Sequence, residues 1–290
     1  MTAIHALLEG LIDYAGLFPP ASLDMRTAVR NYSAYRAGDD AWMLCRFIVP
    51  AQRLAEFSTS FSEACCDEQM TPWLLTVLST GDAEEDAGRL EAFSEGAAFL
   101  DAIEFKAADP ADAEKQLKAA PSDMAAFVEF MPEQSSEMLP VLKRFDARAK
   151  IRTGGITADV IPSVQTIAGL LIACRKAKVP FKATAGLHHP LRSIQKLTYE
   201  KDSASALMHG FANAFVAATI AYQGASEEEV IEVLNEESPS AFQWDKNTLK
   251  WRNRLLKTKQ IKEVREQFAL GFGSCSFTEP IHDLKTLGWM

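Results

Sequence analysis

Short β-rich runs alternate with longer amphipathic helical patterns from the beginning of the chain almost to its end. The predicted strands are Leu11–Ala15, Trp42–Val49, Trp73–Leu78, Ala102–Lys106, Ala126–Met131, Ala149–Arg152, Phe181–Thr184 and Leu270–Ser274. Between them, segments such as Ala83–Ser94 and Ala111–Ala120 are polar on one side and apolar on the other, as surface helices are. This alternation favours βαβ units and a parallel sheet. Together with a length of 290 residues, it predicts an α/β fold, a (β/α)8 TIM barrel that forms a single domain over residues 1–290.

The region 191–267 interrupts this alternation before the last strand. Ala204–Tyr222 is apolar and alanine-rich, which predicts a buried helix. Ser226 and Glu229 have the spacing of a capping box and begin another helical pattern. Asp245–Gln267 contains eight Lys or Arg against three acidic residues, which favours a basic helix with a solvated outer face. We interpret residues 191–267 as extra helices inserted within the barrel domain.

Composition excludes several classes of partner. The formal net charge of −9 argues against general binding to nucleic acid or to an anionic membrane. We find no run of the roughly 20 apolar residues that a membrane span requires, and no signal peptide. Five cysteines, including the adjacent Cys65 and Cys66, lack metal-type spacing and fit a reducing compartment, so we expect a cytoplasmic protein. The oligomeric state stays open, and a homo-oligomer is compatible with the sequence.

Charged residues recur on one face of four successive predicted strands. Because side chains alternate across a strand, Ile103 and Phe105 share one face while the charges flanking them share the other. The charges predicted to point into the barrel are Glu104, Lys106, Glu129, Lys150, Arg152 and Lys182. Burying an unpaired charge costs several kcal/mol, and the carboxyl ends of the strands carry the chemistry in barrels of this type. The pattern therefore predicts a functional pocket at the barrel mouth.

Four of these six charges are positive, which suits a small substrate that carries phosphate or carboxylate. Glycines that follow the strands would let backbone amides approach such an anion, above all in the run Gly271–Ser276. Asp13 either reaches the same pocket or caps the turn after the first strand. The residues predicted to contact the substrate are Asp13, Lys106, Glu129, Arg152, Gly154, Gly155, Thr184, Gly186, His188, Gly273, Ser274 and Ser276.

Five motifs at the strand ends occur in the order found in one known family. They are LIDYAGLFPPAS at residues 11–22, LCRFIVP at 44–50, KIRTGG at 150–155, FKATAG at 181–186 and GFGSCS at 271–276. They resemble, in this order, the strands of the deoxyribose-phosphate aldolase family, a class I aldolase barrel. The chain departs from that pattern at Phe18, where the family has Lys, at Arg152, where it has a small hydroxyl residue, and at His188 and His189, where it has Val-Arg. The region 191–267 is also foreign to the family.

The resemblance implies a lyase that makes or breaks a carbon–carbon bond through a lysine imine (Schiff base). Lys150 would be the amine that forms the imine, and Lys182 the neighbouring cation that favours its neutral form. The proton shuttle on the fourth strand would be Glu104 or Asp101. We prefer Glu104, because it lies on the same face of its strand as the other charges that point into the barrel. Arg152 would hold the anionic group. This chemistry needs neither a metal nor another cofactor.

Two other functions stay open from the sequence. A metal-assisted lyase or isomerase would use His188 or His189 with Glu129 and Glu104, although neither C-x-x-C nor H-x-x-x-H occurs. A barrel without catalytic activity would keep the basic pocket and bind an anionic metabolite or a protein partner. The sequence does not identify the substrate or the direction of the reaction.

Overall fold

The structure, a computed structural model, describes residues 1–64, 72–94 and 96–290, so Cys65 and Cys66 lie outside the described residues. In chain order the strands are β1 Ile12–Tyr14, β2 Leu44–Pro50, β3 Trp73–Leu78, β4 Ala98–Lys106, β5 Ala125–Glu129, β6 Arg148–Arg152, β7 Phe181–Thr184, β8 Ser193–Lys196, β9 Ser205–Met208, β10 Phe242–Trp244, β11 Thr248–Trp251, β12 Arg254–Lys257 and β13 Ala269–Ser274. All eight strands predicted from the sequence are present, with bounds that shift by a few residues.

These eight strands close into a parallel barrel with the spatial order β1-β13-β7-β6-β5-β4-β3-β2. The barrel closes where β1 pairs with β13, with Ile12 opposite Phe272 and Tyr14 opposite Ser274. Farther round, Lys150 of β6 lies opposite Lys182 of β7. The (β/α)8 TIM barrel predicted from the alternating pattern is therefore confirmed.

The α-helices cover the outside of the barrel and connect its strands. They are α1 Ala3–Leu8, α2 Met25–Arg36, α3 Leu54–Ala64, α4 Ala83–Ala92, α5 Pro110–Ala119, α6 Ser135–Arg144, α7 Val164–Ala177, α8 Phe211–Tyr222, α9 Glu227–Leu234, α10 Thr258–Gln267 and α11 Thr278–Thr286. Local sequence sets several of their beginnings. Asp82 accepts hydrogen bonds from the amides of α4, and Pro110 occupies the first turn of α5 behind the Asp109 cap. The predicted capping box of Ser226 and Glu229 begins α9.

The main core lies between the strands and the helices. Ile103, Phe105, Val128 and Ile151, which the alternation assigned to the helix side, are all buried there. Aromatic rings fill one sector behind β2 and β3, where the Trp73 ring lies 4.5 Å from that of Tyr32 and 5.0 Å from that of Phe61. Such edge-to-face contacts add to the free energy of burial. Because the side chains on the outward face of the strands form this core, the side chains on the inward face can be charged.

The region 191–267 contains the expected helices, but two predictions within it are wrong. Ala204–Tyr222 is not one helix, because β9 precedes Gly210 and α8 begins at Phe211. A Cβ on Gly210 would lie 2.4 Å from the Pro190 carbonyl oxygen, so the backbone at Gly210 packs closely against the segment at Pro190. Asp245–Gln267 is likewise not one helix, since β10, β11 and β12 form an antiparallel sheet before α10.

Two short antiparallel sheets thus replace part of the predicted helical insertion. The hairpin β8–β9 matters for the site, because Leu197 and Met208 reach the barrel mouth. The basic segment Asp245–Gln267 does not line the barrel mouth. Its Arg252 pairs with Glu236, and its buried Arg265 donates hydrogen bonds to the backbone carbonyls of residues 7, 9 and 269. The strand pattern was missed because its short alternating runs also fit a helical period.

One segment, residues 158–177, meets the length and composition of a membrane-spanning helix, which the sequence analysis did not find. Its helical part, α7, begins at the Ser163 cap and packs against α6, α8 and α9. The apolar side chains Val164, Ile167 and Leu171 are buried in the main core. This is the packing of an outer barrel helix.

Candidate active site

A cavity of about 300 Å³ opens at the carboxyl ends of the barrel strands. Its floor contains the charged side chains Glu104 and Lys150, and Arg152 lies at its rim. The apolar walls come from strands β2 and β3, from the loops and from the β8–β9 hairpin. They include Phe18, Pro19, Pro20, Ile48, Leu78, Ile156, Leu197 and Met208. An apolar cavity with a few convergent polar groups is the usual form of a small-molecule site.

Below and beside this cavity, six charged side chains form one chain of ion pairs, which we call the charged cluster. It consists of Asp13, Lys182, Glu104, Lys150, Glu129 and Arg152 in that order. Lys182 Nζ lies 2.5 Å from Asp13 Oδ2 and 2.5 Å from Glu104 Oε1. Lys150 Nζ lies 2.8 Å from Glu104 Oε2 and 3.2 Å from Glu129 Oε2. Arg152 Nε donates to Glu129 Oε1 at 2.8 Å.

The strand register explains why these groups meet. Lys150 lies opposite Glu129 on one neighbouring strand and opposite Lys182 on the other. Side chains of equal parity point to the same side of the sheet, and the barrel interior brings several strands within reach of one another. Glu104 bridges the two lysines from β4. Lys150 lines the cavity, whereas Lys182 does not, and the two lysines are joined through the Glu104 carboxylate.

The pairing holds Glu104, Glu129 and Lys182 in their charged forms. Burial alone would raise the pKa of Glu104, but Lys150 and then Lys182 lower it to about 2. The pKa of Glu129 is lowered in the same way by Lys150 and Arg152 despite its burial. Burial opposes the ammonium form of Lys182, yet Asp13 and Glu104 raise its pKa. The resting site is therefore a balanced alternation of three anions and three cations.

Two details of the sequence prediction need correction. The groups in contact with Lys150 Nζ are carboxylates, whereas Lys182 and Arg152 each lie beyond one of those carboxylates. The sequence predicted that neighbouring cations would act directly on the Lys150 amine. In the part of the chain that the structure describes, no cation is in direct contact with that amine. Lys106 is exposed and lines a second recess of about 600 Å³ beside the cavity, so it lies outside the charged cluster. Asp13, whose role the sequence left open, is the sixth member of the charged cluster in place of Lys106.

Asp13 does not cap the turn after β1. Its Oδ1 accepts a hydrogen bond from the Arg46 amide at 3.0 Å, while its other oxygen holds Lys182. Asp101, the alternative to Glu104, pairs instead with the guanidinium of Arg46. Asp101 belongs to a different recess, so Glu104 alone of the two faces the cavity.

The glycines after β6 and β7 serve close packing. A Cβ on Gly186 would lie 2.9 Å from Gly154 Cα, and Gly186 has a φ of +78°. The Thr153 hydroxyl holds the loops after β6 and β7 together by donating a hydrogen bond to the Ala185 carbonyl at 2.6 Å. Gly155, Gly186, Gly273 and Thr184 line the cavity, whereas Gly154 packs against Gly186 and does not line it.

We expect Gly186→Ala to lower the free energy of unfolding by about 1–3 kcal/mol, because the added Cβ meets backbone at a positive φ. Urea denaturation would measure this. Gly169→Ala in α7 is the matched control: its Cβ would meet nothing within 4 Å, and the better helix propensity should stabilise the protein by up to about 1 kcal/mol. Equal stabilities of Gly186→Ala and the unmodified protein would contradict the packing role.

A second group of polar side chains lies at the other side of the mouth. His188 Nδ1 is 3.2 Å from Glu279 Oε2, at ion-pair distance although without hydrogen-bond alignment. Tyr199 Oη donates to the same carboxylate oxygen at 2.8 Å, and Cys275 Sγ lies 4.0 Å from His188 Nε2. Burial would lower the pKa of His188, but Cys275 and Glu279 raise it to about 9. His188 is therefore a cation at neutral pH.

Sequence reasoning missed Tyr199, Cys275 and Glu279. Cys275 stands within the glycine-rich run 271–276, directly after β13, but Tyr199 and Glu279 lie in a hairpin and a helix that only the folded chain brings together. His189 points away from the cavity and pairs with Asp283 at 2.6 Å. The adjacent histidines thus point to different partners, as their extended backbone predicts.

Within the described ranges, no three His, Cys, Asp or Glu side chains are arranged to hold a metal ion. The glutamates that the metal hypothesis needs, Glu104 and Glu129, are held by lysine and arginine, and His188 faces Glu279 across the mouth. The donor set therefore does not fit a metal centre. Among known proteins, no family model matches this chain, and no curated protein is significantly similar to it.

Proposed function

We propose that this protein is a class I aldolase-like lyase that acts on a small anionic carbonyl compound through an imine on Lys150. One observation carries the proposal. Lys150 lines the cavity with Glu104 at 2.8 Å, whereas Lys182, on the neighbouring strand, is sealed beneath it between two carboxylates. One lysine is thus accessible to substrate, and the other is fixed as a cation.

Glu104 is suited to move the protons that this chemistry requires. Its ionised carboxylate can accept the proton of the Lys150 ammonium, which leaves a free electron pair on Nζ. That pair attacks the substrate carbonyl carbon, and the carbinolamine loses water to give a protonated imine. Cleavage of the bond between the α and β carbons of the imine turns its electron pair into the enamine double bond, while the imine π pair moves to nitrogen. The hydroxyl on the β carbon gives its proton to Glu104, whose earlier proton has left with the water, and that carbon becomes a carbonyl. Protonation of the enamine and hydrolysis then return the amine.

Lys182 would support this cycle by keeping charge balanced. When Glu104 takes a proton from Lys150, the neighbouring ammonium of Lys182 still lies 2.5 Å from the carboxyl group. Arg152 at the rim supplies positive charge for an anionic group of the substrate. The five motifs that resemble the deoxyribose-phosphate aldolase family support the same proposal, as a remote relationship. Free thiols at Cys45, Cys174 and Cys275 suit a cytoplasmic location.

Borohydride trapping tests the proposal. Incubation with pyruvate or acetaldehyde followed by sodium borohydride should reduce the imine to a stable secondary amine, which peptide mass spectrometry should locate on Lys150. Lys150→Ala should abolish the label, whereas Lys143→Ala, on the outer helix α6, should keep it. A label on other lysines alone, or full turnover by Lys150→Ala, would overturn the assignment.

A barrel that only binds an anionic metabolite is the second candidate. This candidate is favoured by the ion pairs of Lys150 with Glu104 and Glu129, since a lysine paired with two carboxylates is also compatible with a purely structural role. It predicts ligand-induced thermal stabilisation without any borohydride-dependent label. The same experiment therefore separates the two candidates.

A further inference from the structure

The loop between β13 and α11 lies where many (β/α)8 enzymes hold a substrate phosphate. Here its serines bond within the loop. Ser274 Oγ donates to the Ser276 carbonyl at 2.6 Å and accepts from the Ser276 amide at 3.3 Å. Ser276 Oγ accepts from the Glu279 amide at 3.2 Å. The two serines predicted to contact the substrate are therefore already engaged by their own loop.

The first turn of α11 also carries its own negative charge. Glu279 is directed toward the mouth, where it meets His188 and Tyr199. Burial opposes ionisation, but the contacts with His188 and Tyr199 lower the pKa of Glu279, so the carboxylate is charged at neutral pH. A phosphate dianion placed against this loop would face that carboxylate and compete with it for His188. Like charges at this distance disfavour binding.

Arg152 offers a different anion contact at the end of β6, two strands from β13 in the barrel. Its side chain is 47% exposed, and its Nε is fixed by Glu129. Its Nη1 donates to the Gly154 carbonyl at 3.4 Å, whereas Nη2 makes no hydrogen bond to any residue in the described part of the chain and is open to an anion. A guanidinium nitrogen forms a strong charge-assisted hydrogen bond with a carboxylate or a phosphate, so the discrimination against phosphate comes from the Glu279 carboxylate. Arg152 and Lys150 have the same parity on β6, two residues apart, which is about 6.6 Å along a strand.

We propose that the substrate is an unphosphorylated short-chain oxo acid, whose carboxylate binds Arg152 while its carbonyl reaches Lys150. Apolar walls from Phe18, Ile48, Leu78 and Met208 surround the remaining carbon chain. The inference rests on the proposed function for the role of Lys150. It adds that the cavity selects carboxylate over phosphate.

The test compares three carbonyl probes in borohydride trapping: pyruvate, acetaldehyde and glycolaldehyde phosphate. For each probe, the concentration that gives half-maximal labelling of Lys150 is measured. Arg152→Ala should raise this concentration about 10- to 100-fold more for pyruvate than for acetaldehyde, the loss expected for a hydrogen bond to a charged group. Equal shifts for both probes would overturn the inference, because Arg152 would then act on Lys150 and not on the carboxylate.

For the phosphate probe, Glu279→Gln should change the half-maximal labelling concentration in the direction opposite to the change that Arg152→Ala causes for pyruvate. Removing the carboxylate charge should lower the half-maximal concentration of glycolaldehyde phosphate relative to that of pyruvate. Asp283→Asn, one turn farther along α11 and paired with His189 outside the cavity, should not change that ratio. If glycolaldehyde phosphate labels the unmodified protein at lower concentration than pyruvate does, the inference is wrong while the imine chemistry stands.

Thermal stabilisation by unreacted ligand separates this inference from the proposed function. Pyruvate should raise the unfolding temperature of the unmodified protein more than inorganic phosphate does, and Arg152→Ala should remove that difference. If this holds without any label on Lys150, the carboxylate site stands and the imine chemistry fails. If phosphate stabilises the protein as much as pyruvate does, the carboxylate preference fails.

Discussion

Replacing Lys182 with methionine is expected to lower the free energy of unfolding by about 3–5 kcal/mol, since it leaves Asp13 and Glu104 without their shared buried counter-charge. Lys182 is almost fully buried, so water cannot compensate for the loss. Urea denaturation at pH 7, followed by circular dichroism, measures the change. Lys106→Met is the matched control, because Lys106 is an exposed lysine at the end of β4 and its loss should change stability by less than about 0.5 kcal/mol.

A compensating substitution distinguishes lost charge from lost packing. Lys182→Met combined with Asp13→Asn removes one cation and one anion, so the charged cluster is again balanced. We expect the double variant to recover part of the stability lost by the single one, since Glu104 keeps its contact with Lys150. If the two substitutions are simply additive, the ion pair between Asp13 and Lys182 does not contribute to stability.

Glu104→Gln is expected to have the second large effect, and the effect should depend on pH. At pH 7 the variant should lose about 3–5 kcal/mol, because Lys150 and Lys182 lose the anion that bridges them. The pKa of Glu104 is lowered from 4.5 to about 2 in the folded protein. Its ionised form therefore stabilises the fold above about pH 4.5, and this contribution is lost as the pH falls toward 2.

The difference in stability between Glu104→Gln and the unmodified protein should accordingly shrink on acidification, as measured by urea denaturation at several pH values. Glu114→Gln is the control. The pKa of Glu114 is also lowered by two cations, Lys118 and Arg144, but this surface carboxylate is 32% exposed to water, so its loss should change stability very little at any pH. A pH-independent loss in Glu104→Gln would contradict the ion-pair explanation.

The same substitution tests the proposed proton transfer. If Glu104 accepts the proton of Lys150, borohydride-dependent labelling by pyruvate should slow by about 10²- to 10⁴-fold in Glu104→Gln. Glu129→Gln also removes a carboxylate from Lys150, but one at 3.2 Å that is shared with Arg152. We expect a smaller decrease from Glu129→Gln, and equal decreases would argue that Glu104 has no special role.

Strand periodicity determined the barrel and the inward face of its charges. The alternation of apolar and charged residues in AIEFK and AKIRT is local, so the sequence alone placed Ile103 and Ile151 in the core and Glu104 and Lys150 inside the barrel. The physical reason is that side chains of a strand alternate whatever the rest of the chain does.

Only the tertiary structure decided which charges pair. Asp13 and Lys182 are 169 residues apart, and their contact exists because β1 and β7 both flank β13 in the closed barrel. The group formed by His188, Tyr199, Cys275 and Glu279 likewise depends on a hairpin folding over the mouth, next to the first turn of α11. Closure and register set these distances, and neither is encoded by the spacing of residues within one segment.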